Sequence, residues 1–155
     1  MRSRSTAIVM AALLIASLTG CTFGAIQSTR QAYDPSDGIG VNIGDVHVRN
    51  ALLISDDVSA ATLSVSIVNS GVQNVALQVS YETATGRTSE NVYITAGSTL
   101  SLGTATNPLV LSGIDAKAGA LFPVFFQYGD VEGSEVRVPV LDGALPQYAD
   151  LVPRA

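Results

Sequence analysis

Ala61-Thr62-Leu63-Ser64-Val65-Ser66-Ile67-Val68-Asn69 is the stretch that decides the fold. Leu63, Val65 and Ile67 alternate with Thr62, Ser64 and Ser66, so an extended chain puts large apolar groups on one face and hydroxyls on the other. Val and Ile branch at Cβ, which disfavours helix and suits a pleated surface. The same signature recurs on either side. Upstream, Val46, Val48, Leu52 and Ile54 share one parity, with Asp45, His47 and Arg49 on the other. Asn50 has the inward parity; either its amide is buried with partners or a bulge near it turns the chain. Downstream, Val75, Leu77, Val79 and Tyr81 alternate with Ala76, Gln78 and Ser80, and shorter runs follow at 92–95, 100–102 and 109–111. Residues 121–128 are apolar on both faces and predict a central strand, with Pro123 marking a bulge or irregular start. Val136, Val138 and Val140 complete the series.

Each one-sided run predicts a strand with one face in a core and the other in water. Seven or eight of them, punctuated by Asn-Ser-Gly, Thr-Gly-Arg, Ala-Gly-Ser and Glu-Gly-Ser, predict an all-β chain. The expected architecture is a single antiparallel immunoglobulin-like or cupredoxin-like β-sandwich over residues 41–141. No segment of ten or more residues in this region carries a helical stripe. The 155 residues suit one domain, 47% hydrophobic and 14% charged. That apolar share excludes a disordered acidic tail. Trp is absent and Cys21 is the only cysteine, so the core holds no antibody-type Cys–Trp–Cys pin. With a net charge of −5, no nucleic-acid partner is expected.

The N-terminus has a different logic. Arg2 and Arg4 precede an uncharged apolar run from Ala7 to Leu18, too short for the roughly twenty residues that cross a bilayer and matched to a signal-peptide core. The run ends at Leu18-Thr19-Gly20-Cys21, which resembles the lipobox of bacterial lipoproteins. The resemblance implies that the Cys21 sulfur receives diacylglycerol, that residues 1–20 are removed, and that the new N-terminus is acylated, for instance with palmitate. Two or three acyl chains anchor firmly, since each buried CH₂ contributes about 0.8 kcal/mol. Loss of Arg2 and Arg4 leaves six basic against thirteen acidic groups, and such a body stands off an anionic surface. Residues 21–40 then read as lipidated cysteine and flexible tether, able to reach about 60 Å when fully extended. The expected location is extracytoplasmic, on the cell membrane. Seven Arg against one Lys, with abundant Ala, Gly and Val, is the composition of GC-rich coding and hints at an actinobacterial source.

From about 41 to 141 the order of segments resembles the periplasmic copper-chaperone-like (PCuAC) family and its actinobacterial lipoprotein relatives. The segments are Val46-His47-Val48-Arg49-Asn50-Ala51, Ala61 to Asn69, Ala96-Gly97-Ser98-Thr99-Leu100-Ser101-Leu102, Leu109-Val110-Leu111-Ser112-Gly113-Ile114 and Val136-Arg137-Val138-Pro139-Val140. The resemblance implies a cupredoxin-like or immunoglobulin-like sandwich. In that family a His-x-Met pair just before a Leu-x-Gly turn helps to hold Cu(I), a soft ion suited to thioether and imidazole. Here the stretch reads Asn107-Pro108-Leu109-Val110-Leu111, and Met1 and Met10 both lie in the signal peptide. The expectation is the fold without the metal site, and no cofactor.

His47 is the single imidazole, with outward parity; Gly-x-Ser-x-Gly, Ser-x-x-Lys and His-Glu-x-x-His are all missing. It is read as a solvated strand residue, and no catalytic residue is assigned. Gly38-Ile39-Gly40-Val41-Asn42-Ile43-Gly44 has the wrong spacing for a nucleotide loop and is expected to be a mobile leading loop. Asp34-Pro35-Ser36-Asp37-Gly38 is turn chemistry without a calcium-loop rhythm. Asp56-Asp57 and Asp130 to Glu135 are expected at hairpin tips. The tail, 142–155, with Leu145, Tyr148, Leu151 and Val152 among Pro and Gly, is expected to pack on its own domain; the alternative is that it meets a partner. The functional expectation is a lipid-anchored, non-enzymatic envelope protein with a possible envelope protein partner; the alternative is a ligand or metal carrier related to copper chaperones.

Overall fold

The computed structural model describes residues 6–8, 10, 35–56 and 59–153. Thr6 to Ile8 and Met10 are helical, and no helix among the described residues is long and apolar enough to cross a membrane. The rest of the expected signal peptide, Cys21, the tether up to residue 34, and Asp57 lie outside the described residues.

Residues 34–155 form a compact unit. Nine strands are described: β1 Ile39–Ile43, β2 Val46–Ile54, β3 Ala60–Asn69, β4 Val75–Thr83, β5 Gly86–Ile94, β6 Thr99–Leu102, β7 Val110–Ser112, β8 Leu121–Tyr128 and β9 Ser134–Leu141. They make one curled sheet in the order β5-β4-β8-β9-β2-β3-β6, with β1 also on β2 and β7 also on β3. All pairings are antiparallel but one: β9 lies parallel to β2, Leu53 opposite Val140 and Ile54 opposite Leu141. That seam joins two layers, and both contribute to one core that includes Val48, Leu63, Ile67, Leu77, Val79, Val124, Phe126 and Val138. The expected β-sandwich is present, and β8 is a central strand as its two-sided apolarity predicts. Pro123 sits in regular register opposite Arg137, without a bulge.

Two strands escaped the reading. β5 was legible only at its end, because Arg87, Thr88, Ser89, Glu90 and Asn91 lie on a largely exposed strand and show no alternation. β1 occupies the segment expected to be a mobile loop. Ile39, Val41 and Ile43 alternate with Gly40 and Asn42, and the backbone pairs with the edge of β2.

The largest correction concerns β2. Its register with β3 shifts by one residue between Arg49 and Leu52, and its pairing with β1 is irregular at the same place. Asn50 is exposed, with φ of +50°, the left-handed region that Asn tolerates better than most residues. One extra residue reverses the facing of everything after it. Val46 and Val48 therefore belong to the main core together with Ala51 and Leu53, whereas Leu52 and Ile54 face the other side. There they pack with Tyr148, Leu141, Leu151 and Val152, so the tail does cover its own domain.

Candidate functional site

Copper chemistry would be sought first at residues 107–111. Asn107 N–H donates to Thr104 Oγ1 at 3.1 Å, and its side-chain amide donates to Ser101 O at 3.1 Å. Gly103 N–H donates to Asn107 O, and Leu63 N–H donates to Leu109 O. The turn is stitched to β3 and β6 by its backbone, and Leu111 is buried. Gly103 allows this approach: it has φ of +67°, and any Cβ there would collide with the β3 backbone at Leu63. The side chains offered are an amide already engaged, a pyrrolidine ring and alkyl groups. None is a ligand for a soft cation.

At one end of the sandwich the strand pairings collect a polar cluster around His47. Its Nδ1 is 3.0 Å from Asn42 Oδ1 and its Nε2 is 3.1 Å from Ser70 Oγ. On distances alone this resembles the nucleophile–base–orienter line of a hydrolase. The hydroxyl, however, donates to Asp45 O at 2.9 Å, and the Ser70 N–H donates to the same carbonyl. Gly71 N–H is taken by Asn69 Oδ1 at 3.0 Å. These adjacent N–H groups are spent, so they cannot act as an oxyanion pair. What the cluster does is tie the β1–β2 turn to the β3–β4 loop. Sequence reading singled out His47 but missed Asn42 and Ser70, because only the antiparallel pairings of β1, β2 and β3 bring them together.

Asn69 extends the same tie inward. It is fully buried, and its amide donates to Gln73 O at 2.8 Å and reaches Ile94 O and Thr95 O at 3.4 and 3.3 Å. A buried amide needs such partners, and here they lock the loop after β3 to the end of β5. Tyr128 completes the end of the molecule: its hydroxyl accepts from Asp45 N–H at 3.1 Å. Gly44, with φ of +52°, leaves room for that hydroxyl, which a Cβ would strike.

At the opposite end, a hollow of about 570 Å³ is lined by residues including Glu82, Thr83, Ile114, Asp115 and Phe122. Asp115 pairs loosely with Lys117 at 3.9 Å, both well exposed, so the pair adds little to stability. Among the described residues no group of three or more His, Cys, Asp or Glu could hold a metal ion. Asp56 accepts from Gly143 N–H at 3.2 Å and serves the tail.

The chain enters this unit through two latches. Gly38 N–H donates to the Asn50 side chain at 2.9 Å, and Tyr148 OH donates to Asp37 Oδ2 at 2.6 Å. The hydrogen bond to the Asp37 carboxylate holds the Tyr148 phenol above its ordinary pKa, with burial and the Asp37 charge acting in the same direction. Burial likewise raises Tyr81.

No protein-family model matches the chain, and no curated protein is similar to it. Among solved structures it is similar to the copper-bound PCuAC domain from PmoF2, at 14% identity over 67% of this chain and 98% of that one, with a TM-score of 0.51. The apo PmoF2 PCuAC domain matches at 14% identity over 69% and 98%, with a TM-score of 0.54. The apo PCuAC domain from PmoF1 matches at 13% over 66% and 98%, with a TM-score of 0.50. At such identities the likeness is one of fold. The body of this chain has the PCuAC-like fold that its segment order implied.

Proposed function

We propose that the protein is a lipoprotein anchored through Cys21 to the extracytoplasmic face of the cell membrane, where it presents its sandwich to another envelope component without catalysing a reaction. One observation carries this reading: the chain has a PCuAC-like fold, yet it carries Asn107-Pro108-Leu109 in the stretch where the family resemblance implies a His-x-Met pair. Cleavage before Cys21 would leave a body with no methionine and a single histidine. That histidine is committed to Asn42 and Ser70. A domain with this fold and no ligand set keeps a stable surface as its means of action. The lipobox-like Leu18-Thr19-Gly20-Cys21 and the residues after it would hold that surface away from the bilayer, and the acidic body favours the separation.

Palmitate labelling of cells producing the wild-type chain or Cys21→Ser tests the anchor. Label should appear on the wild type and vanish in the variant; equal labelling overturns the reading. The alternative, a ligand or metal carrier related to copper chaperones, is favoured by the fold alone. Titration of the mature protein, processed before Cys21 and extracted from membranes, with Cu(I) against a competing chelator separates the two. Weak, non-stoichiometric binding is expected, and a tight one-to-one site establishes the carrier instead.

A further inference from the structure

The two latches fix where the chain enters. β1 starts at Ile39 opposite Ala51 and runs toward the beginning of β2, so residues before Ile39 arrive at the end where β2 finishes. The opposite end is built from four turns: 44–45, 70–74, 95–98 and 129–133. That end is remote from the point where the chain enters, and a docking role for it rests on the anchored reading above.

These turns are held to one another. Ser70 bonds Asp45, Gly97 N–H donates to Gly71 O at 3.1 Å, Asn74 Oδ1 accepts from Ala96 N–H at 2.9 Å, and Tyr128 holds the Asp45 N–H. On this fixed platform stand two large apolar groups that the fold does not use: Val72 is 94% exposed and Tyr93 is 77% exposed. Beside them lie two hollows of about 320 and 250 Å³ that share Val75. A single exposed valine means nothing. An exposed valine and tyrosine beside open hollows on pre-ordered loops have the anatomy of an interface centre, with little ordering entropy left to lose. The charge is one-signed as well. Asp45, Asp130 and Glu132 lie in these turns, and no Lys or Arg does.

We infer that this end is a docking surface for a protein partner that inserts an apolar side chain beside Val72 and Tyr93 and surrounds it with basic residues. The acidic rim disfavours anionic lipid and a second copy of the same end, and complements a basic protein surface. The test uses the full chain in the cells that produce it, with a photo-reactive residue placed at 72, 93, 85 or 110. Positions 72 and 93 should trap one and the same protein, and the trapped contact peptide should be rich in Lys or Arg around an apolar side chain. Val72→Asp should lower trapping from position 93 about tenfold, the loss expected of a central apolar anchor; Val72→Ile should retain it. Trapping a neutral or acidic contact peptide, a lipid or a second copy overturns the inference. So does trapping from 85 or 110 alone, although the presenting role then stands. No specific product from any of the four positions removes both.

Discussion

Val46 and Val48, in the first half of β2, point into the space between the layers, whereas Leu52 and Ile54, in its second half, point out of it and are buried only because residues 142–153 lie over them. The residue types are alike and so is the numerical parity. The difference is one extra residue near Asn50, which turns a continuous apolar stripe into two stripes on opposite faces. The main core follows from alternation along the strands. The small cluster exists because a bulge created an apolar patch and the tail closed it. The first should tolerate little, and the second should depend on the tail.

The sharpest blow to the comparison falls on the larger core. Phe126 is fully buried in it, and Phe126→Ala leaves a void that the surrounding strands cannot close, at a cost of roughly 3–5 kcal/mol. Urea unfolding should show a large fall in midpoint with an unchanged slope. A loss below about 1 kcal/mol would mean that the two layers do not meet at Phe126.

Leu52→Ala should cost less, about 2–3 kcal/mol, because the tail can settle toward a vacancy more easily than a strand can. The distinguishing measurement is a double-mutant cycle. In a chain ending after Leu141, Leu52 is already uncovered, so the same substitution should cost well under 1 kcal/mol. Equal costs in both backgrounds would place Leu52 in the main core and erase the distinction between the two clusters.

The bulge itself comes next. Asn50→Ala loses the acceptor for Gly38 N–H and forces an alanine to φ of +50°. Together these should cost about 1–2 kcal/mol. Asn50→Gly removes the same acceptor but adopts positive φ freely, so it should cost less than alanine by equilibrium unfolding. If alanine is no worse than glycine, the left-handed backbone at this position is not what sets the bulge.

Much of this was legible in the sequence, for physical reasons that differ by region. β3, β4 and β9 have one face in the core and one toward water, so the period of two is written directly into them. β8 declared itself central by being apolar on both faces. β5 could not be read through Arg87 to Asn91, because an exposed edge strand has no apolar face to display. β1 hid behind its glycines: Ile39, Val41 and Ile43 do alternate and pack on the core, but Gly38, Gly40 and Gly44 around them read as a loop until β2 is there to pair with. Asn50 was visible as an anomaly, yet parity alone could not choose between a buried amide and a bulge. The missing copper ligands at 107–111 were plain, since absence of a residue type needs no structure. The polar cluster at the other end was not, because Asn42, His47 and Ser70 come from three segments and none carries a motif.

The smallest expected effect concerns the latch between the tail and the start of the unit. Tyr148→Phe removes the hydrogen bond to Asp37 and leaves the ring in place over Leu52 and Ile54, so it should destabilise by about 1 kcal/mol at neutral pH. The sign of its pH dependence follows from the raised phenol. A group whose pKa is higher in the folded than in the unfolded state contributes stability that is complete below its unfolded value, here 10.0, and that fades as the pH climbs through the folded value. Neutral Tyr148 donates to the carboxylate, whereas the phenolate can only repel it. The stability difference between wild type and Tyr148→Phe should therefore be constant from pH 7 to 9 and shrink above pH 10. A difference close to zero at every pH would mean that the tail is held by packing alone and that the Asp37 contact contributes nothing to closing the smaller cluster; one that grows with alkalinity would mean that folding favours the phenolate and that the contact is not a bond donated to a carboxylate.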